Sequence, residues 1–185
     1  MPMIPSIGGV VIGKAKAATN LISNGGFETN ATGWTARNAT ETISRITSWT
    51  AGGAGAGNIL LTAASAGEGA YHAFTGAAST QYTASVTVLP DSGVTARIYL
   101  FDNIGSFVAG ESVAGDGTTV TRLKVTATTA GGSSTFRVYV RCETAAQATK
   151  NIKFDAVQVE AGPAATPYVP TDGATASRTA MKWVA

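Results

Sequence analysis

Ionisable side chains are scarce in this sequence. It holds 13 Lys and Arg against 11 Asp and Glu in 185 residues, a formal net charge of +2. The cations are scattered singly. No basic stripe exists to track a phosphate backbone, so nucleic acid is not an expected partner. The single cysteine, Cys142, excludes an internal disulfide and is expected in the core. With one histidine, His72, it supplies no ligand set for zinc. No run approaches the roughly 20 apolar residues that span a bilayer, so no membrane partner is expected. Catalytic signatures are missing too. His72 lies in the strand-like run Ala70-Tyr-His-Ala-Phe74, where a structural role is expected. Gly52-Gly-Ala-Gly-Ala-Gly57 lacks the Lys-Ser/Thr of a phosphate-cradling loop, and no helical pattern follows it. No two acidic residues sit in a motif that marks one as acid and the other as base. No catalytic residue is nominated, and the chain reads as non-enzymatic.

Thr, Ser, Ala and Gly are abundant instead, a mixture that suits strands joined by small-residue turns. Strand-like runs recur at roughly 41–48, 57–63, 69–75, 80–89, 94–102, 118–129, 134–142 and 151–160. Between them stand Gly52-Gly53, Gly67, Gly76, Pro90-Asp-Ser-Gly, Gly115-Asp-Gly and Gly131-Gly. That punctuation predicts an all-β sandwich or barrel. Three strands alternate clearly enough to assign faces. Tyr82, Ala84, Val86 and Val88 share one side. Val94, Ala96, Ile98 and Leu100 point inward, and so do Phe136, Val138, Val140 and Cys142. Arg97, Tyr99 and Phe101, with Arg137, Tyr139 and Arg141, then form a set on the face opposite the core.

The ends read differently. Residues 1–19 predict an extended N-terminal arm, because Pro2 and Pro5 resist helix and Val10, Val11 and Ile12 are strand formers. Lys14 and Lys16 follow that apolar run, whereas a signal peptide carries its positive charge before it. The body spans 20–160, and residues 161–185 form an irregular, proline-punctuated tail. Val10, Val11, Ile12 and Trp183 are candidate docking anchors.

The stretch Asn20-Leu-Ile-Ser-Asn-Gly-Gly-Phe-Glu28, followed by Gly33-Trp34, resembles the opening of jelly-roll carbohydrate-binding modules of the cellulase and xylanase type. Ile152-Lys-Phe-Asp-Ala-Val-Gln-Val-Glu160 is similar to their last strand. The resemblance implies a jelly-roll β-sandwich of two antiparallel sheets. It also implies a structural calcium ion near Glu28 and Asp155, completed by backbone carbonyls. The resemblance implies a glycan contact on the Arg-Tyr-Phe face, which could equally be a protein contact or a packed face covered by the arm or tail. A second string, Val157-Gln-Val-Glu-Ala-Gly-Pro-Ala-Ala-Thr-Pro-Tyr-Val-Pro170, is similar to a phrase in structural proteins of tailed bacteriophages. It implies a virion component on the particle surface, a head decoration, head-fibre or tail-accessory protein. Such a protein would dock on capsid or tail neighbours as a homo-oligomer or in many copies. The alternative is a glycan-binding module that attaches to cell-surface polysaccharide.

Overall fold

A computed structural model describes residues 17–38, 40–61, 66–144 and 148–179. Among them there is no helix. Ten strands make two five-stranded antiparallel sheets. The front sheet runs in the order β2 (Trp34–Ala36), β5 (Gly69–Phe74), β10 (Phe136–Cys142), β7 (Thr95–Asp102) and β8 (Ser106–Ala114). The back sheet runs β3 (Thr42–Ile46), β4 (Ala56–Leu60), β11 (Asn151–Ala161), β6 (Gln81–Pro90) and β9 (Thr121–Thr128). A separate pair joins β1 (Ala18–Asn20) to β12 (Ala176–Arg178). The arrangement is an all-β sandwich, as the turn spacing predicts, and the jelly roll that the resemblance implies.

The two bracketing motifs meet in the core. Phe27 and Trp34, from the opening motif, lie 5.3 Å apart in a stacked pair. Phe154, from the closing strand, packs edge-on against both, at 5.0 and 4.9 Å. Gly57 passes so close to Phe27 and Phe154 that a β-carbon there would clash with both rings. Trp34 satisfies its indole N–H on the Asn24 carbonyl at 2.9 Å, as a buried indole must. His72 packs against Trp34 and bonds the Ala73 carbonyl oxygen through Nδ1, and burial depresses its pKa. Its role is structural. Cys142 is fully buried.

β11 carries a bulge. Its register against β6 shifts by one residue between Asp155 and Gln158, and Ala156 has a φ of +52°. A one-residue slip would normally turn every later side chain to the other face. Here it keeps Ile152 and Phe154 in the core before the bulge and Val157 and Val159 in the core after it. The Val157 N–H leaves the ladder and bonds the Gly25 carbonyl at 2.9 Å. Gly25 is required there, because a β-carbon would fall 2.1 Å from the Val157 oxygen.

Several elements depart from the sequence expectation. β1 and β12 pair from the end of the predicted arm and from the predicted irregular tail, and β2 and β8 are strands outside the predicted runs. No strand was expected between 102 and 118, yet β8 occupies Ser106–Ala114. It is an edge strand exposed along almost its whole length, so nothing imposes an alternating pattern on it. The tail is irregular over 162–175 but ordered by side chains. Gln158 Nε2 donates to Glu160 Oε1 and to Thr166 Oγ1, at 2.8 and 3.1 Å. Its Oε1 accepts the Val169 N–H at 2.7 Å, and Glu160 accepts the Thr166 N–H at 2.6 Å. Asn20 donates to the Val157 and Val169 carbonyls and accepts the Ile22 and Val159 N–H groups. The polar letters of the distinctive string are thus a clamp that holds the tail on the back sheet. On the side of β6 away from the core, Thr83 is 2% exposed and bonds the Gly162 carbonyl, while Ser85 is 1% exposed and accepts from Arg122.

Candidate functional site

The outer face of the front sheet gathers the Arg-Tyr-Phe set from separate strands. Register places Tyr139 on β10 opposite Tyr71 on β5 and Tyr99 on β7, a row of three tyrosines across the sheet. One step along, Arg137 stands opposite Ala73 and Phe101, and Phe101 opposite Phe107 on β8. On the other side of the row, Arg141 stands opposite Gly69 and Arg97. Antiparallel pairing makes such directly opposed side chains touch. The Tyr71 and Tyr139 rings lie 5.1 Å apart, Phe107 and Tyr139 5.0 Å, and Phe101 and Phe107 4.9 Å.

The arginines lie on the rings. The Arg137 guanidinium sits 4.6 Å from the Tyr71 ring centre and 5.6 Å from that of Phe101. That of Arg141 sits 4.7 Å from Tyr99 and 5.4 Å from Phe107. Each is a cation–π contact. Arg137 also donates to the Tyr139 hydroxyl at 3.2 Å. Arg97 pairs with Glu143 at 3.7 Å. Burial, with a hydrogen bond to Glu143, pushes the Tyr99 phenol upward in pKa. Tyr99 and Tyr139 face away from the core as expected, yet they are only 7% and 4% exposed because the arginines cover them. Tyr71 and Phe107 complete the face and were not singled out from the sequence. Tyr71 lies in a run whose small outward neighbours, Gly69 and Ala73, hide its alternation. Phe107 lies in the strand that the pattern does not show.

Glu28 and Asp155 hold the loop between β3 and β4. Asp155 accepts the Ala51 N–H at 2.7 Å and the Ala156 N–H at 2.6 Å, one on each oxygen. Glu28 accepts the Ala54 N–H at 2.7 Å. The neighbouring carbonyls of Phe27, Glu28 and Ala54 all accept from Arg45, at 2.6, 2.7 and 2.9 Å. Calcium takes six to eight oxygens. In this arrangement three of the four carboxylate oxygens are bonded to backbone N–H groups, and the carbonyls already hold a guanidinium. Among the described residues no cluster of three or more acidic, His or Cys side chains is arranged to hold a metal. The donor set does not fit the calcium ion that the resemblance implies. Val10, Val11, Ile12 and Trp183 lie outside the described residues.

No protein-family model matches the chain, and no curated protein sequence matches it. Solved structures do. The CBM22-1 and GH10 modules of an endo-1,4-β-D-xylanase from Clostridium thermocellum, complexed with xylohexaose, match with a TM-score of 0.64 and 16% identity. The match covers 80% of this chain and 29% of that one. The CBM22-1 xylan-binding domain of a Paenibacillus barcinonensis protein gives 0.61 and 19%, over 82% of this chain and 99% of its own. The enzymatically active domain of tailspike protein 4 from bacteriophage CBA120 gives 0.57 and 13%, over 77% of this chain and 21% of that one. This chain therefore spans less than a third of the xylanase and tailspike chains that it matches. The fold is a jelly roll of the carbohydrate-binding-module type.

Proposed function

We propose that the chain is a non-enzymatic glycan-binding module that engages polysaccharide through the outer face of its front sheet. The observation that carries this reading is the Tyr71–Tyr139–Tyr99 row with Arg137 and Arg141 laid across it. A sheet face of this kind is rigid, because each donor is fixed by cross-strand packing before a ligand arrives. Binding then costs little side-chain ordering. The xylan-binding modules with the same fold support the ligand class. The test is a glycan array followed by affinity electrophoresis in soluble polysaccharides. Retention by at least one polysaccharide is expected, weakened about tenfold or more by Arg137→Ala combined with Arg141→Ala. A folded protein that binds nothing on the array would refute the reading. Tyr99→Ala and Tyr139→Ala are poorer probes, since both rings are packed beneath the arginines and their loss would disturb the sheet.

A location on a bacteriophage particle is a second reading. It is supported by the Val157–Pro170 string and by the likeness to the tailspike domain. Immunogold labelling of particles produced with the chain would test it, and unlabelled particles would refute it.

A further inference from the structure

We infer that the ligand of this face is an acidic polysaccharide, one whose sugars carry carboxylates; the inference rests on the glycan-binding reading above. A neutral sugar is held mainly by stacking on an open aromatic ring and by hydrogen bonds to its hydroxyls. This face offers few open rings. Tyr139 and Tyr99 are nearly inaccessible, and guanidinium groups lie over Tyr71, Phe101, Tyr99 and Phe107. What the sheet presents outward is a layer of cations resting on aromatics.

Those cations lack counter-charges. Among the described residues the ion pairs are Arg97–Glu143 and Lys153–Asp91, so neither Arg137 nor Arg141 is in one. The Nε–H groups of Arg97, Arg137 and Arg141 are buried without an acceptor. A delocalised guanidinium tolerates such packing on a ring, where an ammonium would not. Its planar edge matches a carboxylate by two parallel N–H···O bonds. The charge is also local. The whole chain carries only +2, so the face is not a sample of a generally basic surface. Arg137 and Arg141 are four residues apart on one strand, about 13 Å at roughly 3.3 Å per residue. A chain of charged sugars running along β10 can meet both.

The decisive comparison uses polymers that differ only in charge. Polygalacturonate and glucuronoxylan are each tested beside their carboxyl-reduced forms, which keep the linkages and lose the carboxylates. Binding to at least one acidic polymer is expected, about tenfold or more weaker for its reduced partner and weaker again as salt rises. Arg137→Gln and Arg141→Gln are each expected to abolish that preference, with melting temperatures near that of the parent. Equal binding of an acidic polymer and its reduced form would overturn this inference and leave the glycan reading intact. Binding of neither, with nothing else on the array bound, would overturn both. Poly-aspartate or single-stranded DNA binding as tightly as polygalacturonate would also overturn it, since the face would then read charge without sugar. The polymer comparison needs no variant, so a substitution that impairs folding does not blunt it.

Discussion

Asp155 is an acid in a place where its charge is costly. Burial raises its pKa to about 6, and the nearby Glu28 adds to the rise; the N–H groups of Ala51 and Ala156 and the charge of Arg122 offset only part. In the unfolded chain an aspartate titrates near 3.9. Between those values the folded state holds a proton that the unfolded state has lost, so stability falls as pH rises from about 4 to about 6 and levels off above. The full difference is of the order of 3 kcal/mol at about 1.4 kcal/mol per pH unit. Urea midpoints across that range are expected to drop in the parent and to change less in Asp155→Asn. Parallel slopes for the two proteins would contradict the assignment. Asp102 behaves in the opposite way. Burial works against its charge, yet donors from Ala130, Gly105, Ser133 and Ile104 together hold it down to about 2, outside the Asp155 window. Neither environment is legible in the sequence. Asp155 meets Ala51 from 104 positions away, and only the folded bulge puts its carboxylate under the loop.

At the scale of elements, two short segments do more than their appearance suggests. Arg45, on β3, fills the carbonyls of Phe27, Glu28 and Ala54 and ties the opening motif to the loop before β4. Adding calcium or EDTA is accordingly expected to leave the melting temperature unchanged. Arg45→Met is expected to lower it, because three carbonyls lose a charge-assisted donor at about 1 kcal/mol or more each. Sensitivity to EDTA in the parent would restore a metal at Glu28 and Asp155. The segment 162–172 is the other case. Thr166, Val169 and Thr171 are buried, and their partners Gln158, Glu160 and Asn20 are buried with them. Truncation after Gly162 is expected to cost several kcal/mol, since each orphaned buried group costs about 1–3; loss of the cooperative thermal transition would show it. The interior strands were legible because apolar residues on the core face alternate with polar or aromatic ones on the other, even where that other face is covered as at Thr83 and Ser85. β8 was not, because it is exposed along most of its length, with only Gly110 and Val113 part-buried, and the clamp was not, because a polar side chain looks the same in sequence whether it meets water or backbone.

For the whole molecule, the two sheets treat their outer faces unequally. The back sheet is roofed by the tail, with Thr83 bonded to the Gly162 carbonyl at 2.7 Å. The front sheet keeps Arg97, Arg137 and Arg141 half-exposed on its outer face. Alternation in β7 and β10 predicted the arginine layer. Which sheet would be roofed depended on a contact spanning 79 positions, beyond the reach of any local pattern. The short β1–β12 pair adds a constraint of another kind. Ala18 stands opposite Arg178, and Leu21 bonds Val159 of the back sheet, so the first and last described strands meet beside that sheet. Stacked sheets present their outer faces in opposite directions. A carrier that holds the module by its back sheet would leave the cationic layer facing outward. Several copies on one carrier could then contact a single polymer together, and weak individual grips would combine into durable adhesion.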